Sequence, residues 1–146
     1  MKAIIFIFLL GLTFSYDRIA AANYALKHCN NYNPNYNKYE TQKEESANFV
    51  SQCMSIGGGQ DFEGCEGRDD KGMFKDGYAL KNCLISKGWK KTNIPQKGNP
   101  VFYKLGTYPL LITEDGVINH RVTCCSHKPD RCNARQTSVI LQYYTL

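Results

Sequence analysis

The chain has no Cys-x-x-Cys pair, no Asn-x-Ser/Thr sequon, no dense basic stripe and no long apolar run beyond its first residues. Each absence removes a class of protein. Its three histidines, His28, His120 and His127, do not fall at finger spacing from any cysteine, so no metal site is expected. The triple glycine Gly57-Gly58-Gly59 is not followed by the Lys-Ser/Thr of a phosphate loop, so it reads as the end of a helix, and no cofactor is implied. Basic residues alternate with acids such as Glu44, Glu45, Asp69 and Asp70. A formal charge of +5 therefore reads as a solvated surface, and nucleic acid is not an expected partner. Without a sequon, N-glycosylation is not expected.

The one apolar run lies at the start. Lys2, the stretch Ala3–Leu12 and the small Ser15 follow the order of a secretory signal peptide, with cleavage expected before Tyr16. The run is too short to span a bilayer, which takes about 20 residues. Two segments follow: residues 1–15 as signal peptide and 16–146 as one domain, soluble and without membrane attachment after cleavage. All seven cysteines (Cys29, Cys53, Cys65, Cys83, Cys124, Cys125 and Cys132) fall in the second segment. In a secreted chain they read as disulfides, with an odd thiol left over. Cys65 with Cys83 is the favoured pair, since it would tie a glycine-rich loop to a helix. Adjacent Cys124 and Cys125 should point to opposite faces of a strand.

The periodicity changes along the chain. Tyr16–Lys27 reads as a helix capped by Asp17, and Ser46–Ile56 as a second with Phe49, Val50, Cys53 and Met54 on one face. Asp76–Lys87 reads as a third, closed by Gly88. Asn30–Tyr39, with Asn and Tyr around Pro34, reads as an ordered loop. From Pro100 the segments Val101–Leu105, Leu110–Thr113, Val117–Cys125 and Ser138–Tyr144 read as strands, with Glu114-Asp115-Gly116 as a hairpin turn. Three helices packed on a C-terminal antiparallel meander make an α+β fold.

Several stretches carry a resemblance. They include Asn31-Tyr32-Asn33-Pro34-Asn35-Tyr36, Ala47-Asn48-Phe49-Val50-Ser51-Gln52-Cys53 and Ser126-His127-Lys128-Pro129-Asp130-Arg131-Cys132-Asn133. With them the chain resembles the putative amidase domain family, a branch of the papain-like cell-wall amidases. The resemblance implies a papain-like arrangement: a cysteine at the start of the central helix, a histidine base from the sheet and a third polar group that orients the base. Here Ser46 stands at the nucleophile position, Tyr108 at the histidine position and His127 at the third. A serine hydroxyl needs an adjacent base, and tyrosine, with a reference pKa of about 10, is a poor one. Ser46 also reads simply as a helix N-cap. His120 is expected to be an exposed strand residue and His28 a helix-end residue.

The resemblance thus implies a secreted, catalytically degenerate amidase-like domain. Its cleft, enclosed by Ser46, Asn48, Tyr108, His127 and loop tyrosines, would bind bacterial cell-wall fragments or other glycan-peptides. Two alternatives stand beside it. One is an active amidase or peptidase that uses Ser46, with His127 swung into the base position. The other is a disulfide-stabilised extracellular interaction protein.

Overall fold

The computed structural model describes residues 15–105 and 108–146. The signal-peptide reading falls almost wholly outside them. Three helices, α1 (Arg18–His28), α2 (Gln42–Gln52) and α3 (Gly77–Ser86), precede six strands: β1 (Lys90–Thr92), β2 (Pro100–Tyr103), β3 (Pro109–Ile112), β4 (Arg121–Ser126), β5 (Arg131–Thr137) and β6 (Leu141–Thr145). The strands form one antiparallel sheet in the order β1-β6-β2-β3-β4-β5. The α+β class is as expected. The meander holds for β2 to β5 only, because β6 returns to pair with β2 and β1. Among the described residues, no helix is long and apolar enough to cross a membrane.

Local chemistry sets the helix ends. The Asp17 carboxylate accepts the Ala20 N–H at 2.9 Å and starts α1. Asp76 does the same for α3, accepting from Tyr78 at 2.7 Å. Gly88, at φ 97°, ends α3 in a Schellman motif: Trp89 N–H reaches Leu84 O at 3.0 Å and Gly88 N–H reaches Ile85 O at 3.1 Å. The start of α2 differs from expectation. Thr41 and Glu44 form the Thr-x-x-Glu cap, with Glu44 N–H donating to Thr41 Oγ1 at 3.2 Å, so the helix opens four residues before Ser46. It continues into a wider π turn, Cys53–Gly57, before the glycines.

Small residues bring α1 onto that π turn. Ala21, Ala22 and Ala25 are fully buried, and a Cβ on Gly57 would lie 2.7 Å from Tyr24 Cβ. The sheet is strongly curled. A short 3-10 turn, Ser138–Ile140, joins β5 to β6 although three strands lie between them, and the Tyr103 hydroxyl on β2 reaches Gln136 on β5 at 3.0 Å. One face of the sheet, with Phe102, Leu111, Cys125 and Tyr144, packs on the helices. The other, with Val101, Leu110, Ile112, Val122, Cys124, Leu141 and Tyr143, lines the inside of the curl. Cys124 and Cys125 therefore do point to opposite faces.

The hairpin turn into β4 is Asn119-His120, not Glu114-Asp115-Gly116. Both residues are left-handed (φ 50° and 58°), and Ile118 and Arg121 exchange both backbone hydrogen bonds at 2.9 and 3.0 Å. Residues 114–116 belong to the longer connection before it, where Gly116 N–H donates to Pro95 O at 3.0 Å. Strands β1 and β5 were not expected; both are edge strands rich in polar residues, which blunts their alternation.

The closest backbone approach is at Gly98, φ 84°, where an added Cβ would sit 1.8 Å from the Arg18 carbonyl oxygen. Overpacking costs about 1–3 kcal/mol, and left-handed backbone about 1–2 kcal/mol more for a residue with a Cβ. Gly98→Ala should therefore lower stability by about 2–5 kcal/mol in denaturant titration. A loss below about 0.5 kcal/mol would show that the α1 start does not lie against this loop.

Candidate functional site

Glu45, Asn48 and Phe49 project from the middle of α2 into the space between α1, the loop Asn30–Tyr39 and the β4–β5 hairpin. His127 enters that space from just after β4. Its imidazole is 2% exposed and lies between the rings of Tyr32 and Phe49, each stacked at 3.9 Å. Nδ1 meets Glu45 Oε1 at 2.7 Å, and Nε2 meets the His28 carbonyl oxygen at 2.8 Å.

The proton inventory follows from the partners. A carbonyl oxygen can only accept, so Nε2 carries a hydrogen and donates it. A second hydrogen lies between Nδ1 and the Glu45 carboxyl. Neither ring nitrogen has a free lone pair with which to take a proton from a nucleophile. Glu45, fully buried, also accepts the Tyr39 N–H at 2.7 Å and the Asn48 amide at 3.3 Å through Oε2. Asn48 in turn donates to Asn37 O at 2.7 Å. The result is a buried network linking α1, α2, the tyrosine-rich loop and the hairpin, in which Asn48 Oδ1 alone has no partner among the described residues. The Cys29–Cys132 disulfide, adjacent to His28 in sequence, staples the same elements.

Ser46 sits in the second turn of α2 rather than at its cap. Its hydroxyl donates back to Lys43 O at 3.3 Å and it is 2% exposed. The N-cap reading of Ser46 is thus corrected: Thr41 holds that role. Tyr108 is half-buried just before β3, where its carbonyl accepts the Tyr103 N–H at 3.1 Å. Among the described residues no hydrogen bond joins Ser46, Tyr108 and His127 to one another. Of the residues expected to enclose a ligand, Ser46, Asn48 and His127 are closed off from solvent.

The other histidines divide. His28 ends α1 as expected, nearly buried, with Nδ1 2.8 Å from Asn31 O, while its carbonyl serves His127. His120 is exposed as expected, but in the turn and not in a strand.

Two disulfides are formed, Cys29–Cys132 and the favoured Cys65–Cys83. Three thiols remain rather than one: Cys53, Cys124 and Cys125, all buried. Burial pushes each thiol above its ordinary value, most strongly for Cys53 and Cys124. None of them is a poised thiolate.

Sequence reasoning missed Glu45, which it assigned to the solvated surface. The signal was present: Glu45, Phe49 and Cys53 recur every four residues and share the buried side of α2. With the helix read as starting at Ser46, Glu45 fell outside it among the scattered surface acids, and only its partner across the fold distinguishes it.

A family model described as "Putative amidase domain" matches residues 15–102, more than half of the chain. The chain belongs to the putative amidase domain family. The match covers the three helices, β1 and β2 up to Phe102, and so includes Ser46 but neither Tyr108 nor His127. Among curated proteins the chain is similar to the uncharacterized protein YhbB of Bacillus subtilis (strain 168), 33% identical over 79 residues. Those residues are 54% of this chain and 22% of that protein, so the likeness spans about a fifth of the relative's length. No solved structure matches.

Proposed function

We propose that this putative amidase domain is a secreted, catalytically degenerate member of its family that acts as a disulfide-stapled interaction domain and not as a hydrolase. The observation that carries this reading is the commitment of both His127 nitrogens, one to Glu45 and one to the His28 carbonyl. A hydroxyl nucleophile needs a base with a free lone pair within hydrogen-bond reach. Ser46 instead bonds to its own helix. Swinging His127 into a base position would break two hydrogen bonds and two ring stacks, and would leave the Glu45 carboxylate buried without its partner. The two bridges support the secreted half of the reading, because such bonds persist in oxidising compartments.

The ligand class carried over from the family resemblance is the glycan-peptide of bacterial cell walls. With Ser46, Asn48 and His127 closed off, that ligand would engage the exposed rim around them.

Purified protein lacking residues 1–15 should show no hydrolysis of peptidoglycan or peptide amides above background. Ser46→Cys alone should remain inert, since His127 cannot accept its proton. Hydrolysis by the unaltered protein that disappears in Ser46→Ala would overturn the degenerate reading. Co-sedimentation with purified cell-wall sacculi tests the ligand class separately.

A further inference from the structure

Tyr16 is anchored at the edge of the fold while Ser15 before it is exposed. The Tyr16 hydroxyl donates to Gly98 O at 2.5 Å, and its ring meets Trp89 edge-on at 5.0 Å. A Cβ on Gly58 would fall 2.3 Å from that ring, so the glycine leaves room for it. The next residue, Asp17, is fixed by its N–H to Gly58 O at 2.9 Å and by its capping carboxylate.

Beside this anchor lies a depression of 410 Å³ whose walls include Ser15, Tyr16, Arg18, Gln96 and Asn99. Asn99 is 1% exposed and held firmly. Its backbone N–H donates to Gln96 O at 3.0 Å and its carbonyl accepts from Ile112 at 3.1 Å. The side-chain amide nitrogen reaches Gln96 Oε1 at 3.3 Å, but Asn99 Oδ1 has no donor. A buried acceptor without a partner is costly and rare in folded proteins. Something that carries N–H or O–H hydrogens belongs there.

We propose that the Ser15–Tyr16 peptide bond is the maturation cleavage site, and that the α-ammonium released on Tyr16 is the missing donor to Asn99 Oδ1. Hydrolysis by a secretory-pathway endopeptidase adds the hydroxyl of water to the Ser15 carbonyl carbon and breaks the C–N bond. The Tyr16 nitrogen takes the water's hydrogen and one further proton from solvent. A peptide N–H offers one hydrogen in a direction fixed by the chain, whereas the ammonium offers three that rotate freely. The positive end of α1 would repel such a cation, and the Asp17 carboxylate between them offsets that repulsion. Cleavage thus completes the packing of the fold as well as removing the leader. The inference stands apart from any loss of amidase activity.

The full chain, expressed in a secreting host, should give an intact mass and N-terminal sequence that begin at Tyr16. Protein beginning at Tyr16 should melt about 3–6 °C above protein beginning at Ser15. Asn99→Leu, which removes the acceptor, should abolish that gap. Asn99→Asp, which charges it, should widen it. A mature N-terminus at any other residue, equal melting of the two forms, or a gap unchanged by both Asn99 variants would overturn the proposal.

Discussion

Glu45→Ala should lower the stability of the folded chain by about 3–5 kcal/mol, the cost typical of removing one partner from a buried carboxyl–imidazole pair. Three groups lose their partner at once: His127 Nδ1, the backbone N–H of Tyr39 and the Asn48 amide. His127 cannot turn to water instead, because it is 2% exposed and Glu45 is fully buried. Since single domains hold only about 5–15 kcal/mol in total, the variant would sit close to unfolding at room temperature. His127→Ala should cost a similar amount. It strands the carboxylate and opens a ring-sized void between Tyr32 and Phe49. The double variant Glu45→Leu with His127→Leu should cost clearly less than the sum of the single changes, because a pair replaced by apolar groups leaves no orphaned charge. Denaturant titration of all the variants measures the coupling. Single losses below about 1 kcal/mol would mean that the pair is not held as described.

Removing the Cys29–Cys132 bridge should cost about 3–5 kcal/mol. It spans a sequence separation of 103 residues, against 18 for Cys65–Cys83. The entropy that a cross-link removes from the unfolded chain grows with the logarithm of loop length, from about 3 kcal/mol for a 15-residue loop to about 4.7 for 100. The long bridge should therefore be worth about 1–2 kcal/mol more than the short one. The long bridge also joins the end of α1, whose His28 carbonyl receives His127, to the strand after the hairpin that carries His127. Cys132→Ala and His127→Ala should thus be less than additive. Mass spectrometry of the native protein should find two bridges and three thiols that alkylate only after unfolding. Rapid alkylation of Cys53, Cys124 or Cys125 in the native state would contradict their burial.

The sequence by itself determined what depends on neighbours within a few positions. Asp17 announced one helix start and Gly88 one helix end, because capping is a contact across three or four residues. The apolar runs after Pro100 located most of the sheet. The adjacency of Cys124 and Cys125 fixed their opposite faces, because strand side chains alternate. The Thr41-x-x-Glu44 cap was equally local, but the string Glu45-Ser46-Ala47-Asn48 drew the reading towards a later start. Tertiary structure alone decided the centre of the site. Nothing near Glu45 in the chain tells a surface carboxylate from a buried one. The difference lies in His127, 82 residues away, brought across by the return of the β4–β5 hairpin. The edge strands β1 and β5 were equally illegible, since polar residues suit an exposed edge and take a strand's shape only from the neighbour they pair with. The role of His127 follows the same rule. An imidazole is a base, a ligand or a structural cation according to which atoms face its two nitrogens, and a carboxylate and a carbonyl from distant segments decide it here.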